Sequence, residues 1–151
     1  MDIRIENKDA FYVSGYSVET SEETLEKDCA MMREKYEDKL RSISNHLYFV
    51  SWMSKEKVMI YHFGVEAPSQ SPITEGATCV EVSSARFAIA TVPKGEPILA
   101  TWHKFFGAFQ EETPALGGAA IDLDYPIYIE SFDENGACKL WVPVKQYRVE
   151  D

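Results

Sequence analysis

A chain of 151 residues with a formal charge of −10 can bury a real core but lacks the basic footprint that nucleic-acid binding demands. Its 45% apolar and 13% aromatic content is that of an aromatic-rich globular protein, and no apolar run approaches the ~20 residues that cross a bilayer. Cys29, Cys79 and Cys138 are odd in number and widely spaced, which suits reduced thiols in a cytoplasmic protein and speaks against a disulfide frame or a Cys-x-x-Cys metal site. Neither a signal peptide, a metal nor a cofactor is expected, because the N-terminus has no apolar core segment and no ligand cluster or phosphate loop is present.

From the N-terminus, Ile3-Arg4-Ile5 and the stretch Phe11 to Val18 predict β-structure. Thr20-Ser21-Glu22-Glu23 then has the pattern of a capping box, with Thr20 as N-cap and Glu23 three positions on. Leu25, Cys29, Met32, Tyr36, Leu40 and Ile43 follow at spacings of three and four, the apolar stripe of a long amphipathic helix. Its opposite face carries Glu26, Lys27, Arg33, Glu34, Glu37, Asp38 and Lys39, expected to be solvated. Two strands come next, Leu47 to Met53 and Val58 to Val65, joined by the polar turn Ser54 to Lys57.

A stretch with Pro68, Pro72 and Gly76 is expected to link two halves, at about 67–84, and is long enough to pair partly or to cover something. The second half restarts with a strand from Ala85 to Pro93. Pro97 opens a helix at a position where its missing N–H costs nothing, and Ile98, Trp102, Phe105, Phe106 and Phe109 give that helix an aromatic stripe. A glycine- and proline-bearing loop, Thr113 to Leu123, leads into a last hairpin. Each half, about 1–66 and about 85–151, thus reads strand–helix–strand–strand in a single domain. The expected fold is α+β: a duplicated β-α-β-β repeat forming one curved antiparallel sheet with both long helices on one face. An offset of 79 places Ser51 on Glu130 and His62 on Trp141.

The last hairpin carries the candidate site. Tyr128, Glu130 and Phe132 share one strand face, and Asn135-Gly136 is a hairpin turn signal. A two-residue turn there sets Glu130 opposite Trp141, so one carboxylate is framed by Tyr128, Phe132 and Trp141. A strand Glu is commonly a solvated outer residue, yet an outer face tends to carry Lys, Thr or Ser where this one carries aromatics. A register slip of one residue would send Trp141 to the other face.

The run Tyr125 to Phe132, a short turn, and Leu140-Trp141-Val142-Pro143-Val144 resemble the closing signature of the GyrI-like domain family, the effector-binding domain also attached to multidrug-sensing and AraC-type bacterial transcription activators. The resemblance covers nearly the whole chain, including Phe87 to Pro93 and the Pro97 helix, and extends to stand-alone members, among them small gyrase-modulating proteins and integron-borne binding modules, since no DNA-binding module is expected here. It implies two strand–helix–strand–strand repeats in one sheet and a Glu, matched by Glu130, that meets cationic aromatic drugs in a hydrophobic cleft. Trp141 matches the aromatic position before the closing Pro-Val.

The expected function is binding of small cationic amphipathic or aromatic molecules through Glu130, Trp141, Tyr128, Phe132, Trp102, Phe106 and His62, with no direct nucleic-acid or membrane partner. The commonplace roles of Trp102 and Phe106 are core packing, and that of His62 is a local hydrogen bond. Two alternatives stay open: a hydrolase of reactive small molecules in which Glu130, with Tyr128 and His62, activates water, and an interaction module acting on gyrase or a transcription regulator. A monomer or weak homodimer is expected, the latter through an exposed sheet edge.

Overall fold

The computed structural model describes residues 1–73 and 75–146; Thr74 and residues 147–151, the end of the expected second repeat, lie outside them. In chain order the elements are β1 (Ile3–Lys8), β2 (Phe11–Thr20), α1 (Leu25–Arg41), β3 (Leu47–Met53), β4 (Met59–Ala67), β5 (Thr78–Val82), β6 (Ala85–Thr91), α2 (Ile98–Gln110), β7 (Ala119–Ile121), β8 (Tyr128–Phe132) and β9 (Cys138–Gln146). The strands form one antiparallel sheet in the order β1-β6-β9-β8-β3-β4-β2-β5, with β7 pairing the end of β9. The run β-α-β-β occurs as β2-α1-β3-β4 and again as β6-α2-β8-β9 with the short β7 inserted after α2, and β3 and β8 join the two at mid-sheet. The segment between them contributes β5, which pairs with β2.

Alternation along each strand sorts the side chains into two cores. Leu47, Phe49, Tyr61, Phe63, Leu140 and Val142 pack against Met32 and Leu40 of α1 and Trp102 and Phe105 of α2, which places both helices on one face. Val13, Val50, Phe87, Ile89, Ile127, Ile129 and Trp141 form a smaller cluster on the outer face. No helix among the described residues is long and apolar enough to cross a membrane.

α1 begins later than the capping pattern suggests. Thr20 pairs with Met59 in the β2–β4 ladder and so stays a strand residue. Its hydroxyl instead donates to the Asp28 carboxylate at 2.7 Å, tying strand to helix across the connection. Glu26 and Asp28 in the first turn, and Lys39 and Arg41 in the last, complement the helix dipole.

The last hairpin departs from the sequence expectation in a way that matters for the site. The Asp133 carboxylate accepts from the Asn135 and Ala137 amides at 2.9 and 3.0 Å, and Gly136 sits at φ 80°. This is a three-residue loop with a left-handed glycine, one residue longer than an Asn-Gly two-residue turn. The register therefore shifts by one: Glu130 faces Leu140, and Trp141 faces Ile129. Trp141 does not frame the carboxylate. It lies on the outer face with its indole N–H donated to Ser131 Oγ at 2.9 Å. The corrected register agrees with the 79-residue offset, since Ser51 faces Tyr61 just as Glu130 faces Leu140.

Candidate functional site

Between the start of α1 and the first turns of α2 the sheet carries a cleft of about 670 Å³. Its sheet side comes from Ser51, Tyr61 and Tyr128 on β3, β4 and β8, which alternation projects toward the helices, with Trp52, Met53 and Met59 where β3 and β4 turn. α2 supplies Leu99, Trp102, His103 and Phe106, three and four residues apart and so on one helical stripe. The three central rings are mutually ordered. Trp102 and Phe106 stack at 5.5 Å, and Tyr128 meets them edge-on at 6.3 and 5.8 Å. Glu22, Glu23 and Glu26, at the entry to α1, line the same cleft.

Glu130 sits against this wall without lining the open cavity. Two of the lining residues reach it: the Trp102 indole N–H donates to Oε1 at 3.0 Å, and the Tyr61 hydroxyl also favours its charged form. Burial nevertheless dominates and holds the Glu130 carboxyl above the usual carboxylate range, against the Trp102 hydrogen bond, the Arg33 charge and Tyr61. Burial pushes the Tyr61 hydroxyl upward and the Cys29 thiol up to about 12, and the Glu130 carboxylate adds to both shifts. It is a desolvated acid with too little positive charge around it.

The cation whose charge acts on Glu130 is Arg33 on α1, and its direct contacts lie elsewhere. Its guanidinium pairs with Glu37 at 3.2 Å and lies 4.3 Å from the Phe132 ring centre and 5.5 Å from that of Phe49. Phe132 thus shares Glu130's face, as its spacing predicts, but it is buried beneath Arg33 rather than set in the cleft wall.

The residues named from sequence therefore divide. Trp102, Phe106 and Tyr128 come together around the cleft with Glu130 behind them, whereas Trp141 and His62 lie on the outer face. His62 is fully buried and pairs with Val50, a member of the outer-face core. Its Nε2–H donates to the Val13 carbonyl at 2.9 Å, which leaves Nδ1 to accept the Ser17 hydroxyl at 2.7 Å. The histidine that water activation would enlist is thus separated from Glu130 by the sheet. Tyr61, Trp52, His103 and the acidic rim were not legible as site residues. Counting outward from the Ser54–Lys57 turn would set Ile60 opposite Ser51; the folded turn takes in Val58 as well, with the Ser54 amide donating to the Val58 carbonyl at 2.8 Å, and this brings Tyr61 opposite Ser51.

Burial pushes the His62 pKa down to about 4, so the folded state holds it neutral. An unfolded chain would protonate it below about 6.5. Stability is therefore fully present above pH 6.5 and should fall between there and about 4, by about 3 kcal/mol at the acid end. Urea melts of His62→Gln should show a flatter acid limb, and an unchanged slope would assign the acid loss to other groups.

Residues 4–144 match the family model described as Cass2, integron-associated effector binding protein. No curated protein sequence matches the chain significantly. Among solved structures, SAV2435 bound to tetraphenylphosphonium superposes with a TM-score of 0.69 at 12% identity, over 96% of this chain and 94% of that one. The integron cassette protein VCH_CASS2 from the mobile metagenome of Vibrio cholerae gives 0.66 at 14% identity, over 95% of each chain.

Proposed function

Given that this chain belongs to the integron-associated effector binding protein family, we propose that its cleft binds small cationic molecules of amphipathic or aromatic character, with Glu130 as the countercharge. The observation that carries this reading is the pairing of a desolvated, under-neutralised carboxylate with an aromatic cavity whose wall residue Trp102 is hydrogen-bonded to it. The structural relative SAV2435 was solved with tetraphenylphosphonium, a bulky aromatic cation, which supports the same class of ligand here.

The energetics favour a monocation with apolar flanks. A charge held ~6 Å from the carboxylate gains roughly 3 kcal/mol at an effective dielectric constant near 20. Contact with the Trp102, Phe106 or Tyr128 ring adds about 0.5–2 kcal/mol for each well-placed cation–π pair. Apolar burial at roughly 25 cal/mol per Å² supplies the rest of a micromolar affinity. Met53, 52% exposed on the cleft rim, and Met59 reshape easily, which favours loose shape selection. Glu22, Glu23 and Glu26 give the entrance a negative field that speeds the approach of cations.

Melting in the presence of tetraphenylphosphonium or a rhodamine dye tests the reading directly. At 100 times Kd a bound ligand adds about 2.7 kcal/mol, a rise of about 5–10 °C for a protein of this size. Triphenylphosphine oxide, aromatic but uncharged, should give little shift at the same concentration. Equal shifts from the neutral and charged compounds would reduce the cleft to an apolar groove without charge selectivity.

A further inference from the structure

β1 ends the sheet: β6 pairs with it on one side, and no strand among the described residues lies on the other. The Asp2 carbonyl accepts a hydrogen bond from the Thr91 amide at 3.1 Å, which fixes the phase of the ladder. Because hydrogen-bonded pairs alternate along an antiparallel ladder, Arg4 and Glu6 also bond toward β6. The backbone N–H and C=O groups of Ile3, Ile5 and Asn7 therefore point away from the sheet. Such an edge is a template for another strand.

We propose that this edge pairs antiparallel with β1 of a second copy of the chain, centred on Ile5, to form a weak homodimer with a continuous sheet. With Ile5 opposite Ile5, Ile3 opposes Asn7, and the outward groups of all three residues find partners in both copies. The side chains select that register. Asp2, Arg4, Glu6 and Lys8 share the outer face, and Arg4 meets Glu6 of the second copy while Asp2 meets its Lys8. Symmetry repeats both contacts. A shift centred on Arg4 would set Arg4 against Arg4 and Asp2 against Glu6. A shift centred on Glu6 would set Glu6 against itself and Arg4 against Lys8.

Charge on an edge strand ordinarily prevents association. Here the signs alternate, so repulsion falls on the wrong registers and attraction on one. Glu6 and Lys8 already neutralise one another within the chain at 3.0 Å, with both side chains partly exposed and free to exchange partners. On the helix face, Ile5 packs at the margin of the main core, and pairing would join the two margins.

Sedimentation velocity of the whole chain across about 1–200 µM at low salt should show a monomer–dimer equilibrium that weakens as salt rises. Arg4→Glu and Glu6→Arg each turn two attractive contacts repulsive and should weaken the dimer about tenfold or more. The double variant carrying both changes restores complementarity and should dimerise like the original chain. A mixture of the two single variants should also associate, as heterodimers. Melting curves establish that each variant is folded. A monomer at every concentration, or a dimer indifferent to these reversals, overturns the proposal.

Discussion

Glu130→Gln should weaken binding of a rhodamine-type cation by about tenfold to a hundredfold while making the free protein more stable. The two effects have one source. Burial disfavours the ionised carboxylate more than the Trp102 hydrogen bond, Arg33 and Tyr61 compensate, so the folded chain bears a charge that it solvates poorly. Gln keeps the shape and an oxygen to accept the Trp102 N–H, and it removes that charge. A gain of about 1–2 kcal/mol, or roughly 2–8 °C in melting temperature, is the expected scale. A neutral ligand should bind both proteins equally.

The sign of the pH dependence follows from the raised pKa. Below its unfolded value near 4.5 the group is neutral in both states and contributes no strain. As pH rises through the elevated folded value, the unfolded state ionises first and stability is lost. Cation affinity runs the other way, rising over the same interval as the carboxylate ionises, with a proton released on binding at its lower end. His62 tilts the acid side oppositely, so comparison of Glu130→Gln with His62→Gln separates the two slopes. Unchanged cation affinity in Glu130→Gln, alongside unchanged stability, would mean that the carboxylate is neither strained nor used.

The largest loss of stability from a single methyl group is expected at Gly15 or Gly64. These two residues face each other across β2 and β4, where the strands approach so closely that neither has room for a Cβ. A Cβ on Gly15 would overlap the Phe63 carbonyl oxygen, and one on Gly64 the Ser14 carbonyl oxygen. The obstruction is backbone, so no rotamer change relieves it, and the strands must separate. Gly15→Ala should therefore cost about 3 kcal/mol or more, lowering the melting temperature by about 6–12 °C. Because β4 carries Tyr61 between the cleft and Glu130, ligand affinity should fall as well. Gly107→Ala is the matched control: that glycine lies within α2 with open space around its Cβ position, and alanine there should stabilise by about 0.5–1 kcal/mol. A Gly15→Ala protein melting within about 2 °C of the original would show that β2 can shift at little cost.

Periodicity and turn chemistry alone delimit both helices, most strands and the repeated β-α-β-β order, because local alternation encodes which face of each element is apolar. They also single out Glu130, a charge among aromatics on a face that should be buried, and place Trp102 and Phe106 on the inward stripe of α2. β7 escapes notice because it is three residues long and borrows its partner from the end of β9. Trp141 and His62 are misplaced for different reasons. A single extra turn residue, stabilised by the Asp133 carboxylate, inverts the facing of everything beyond it, and a strand histidine carries no local mark of which core it enters. Only the folded sheet decides that Tyr61, 69 positions before Glu130, stands beside its carboxylate, that Arg33 is diverted to Phe132 and Glu37, and that three glutamates edge the cleft. Sequence fixes alternation within an element, whereas the charge balance at a buried acid depends on neighbours brought together across the sheet.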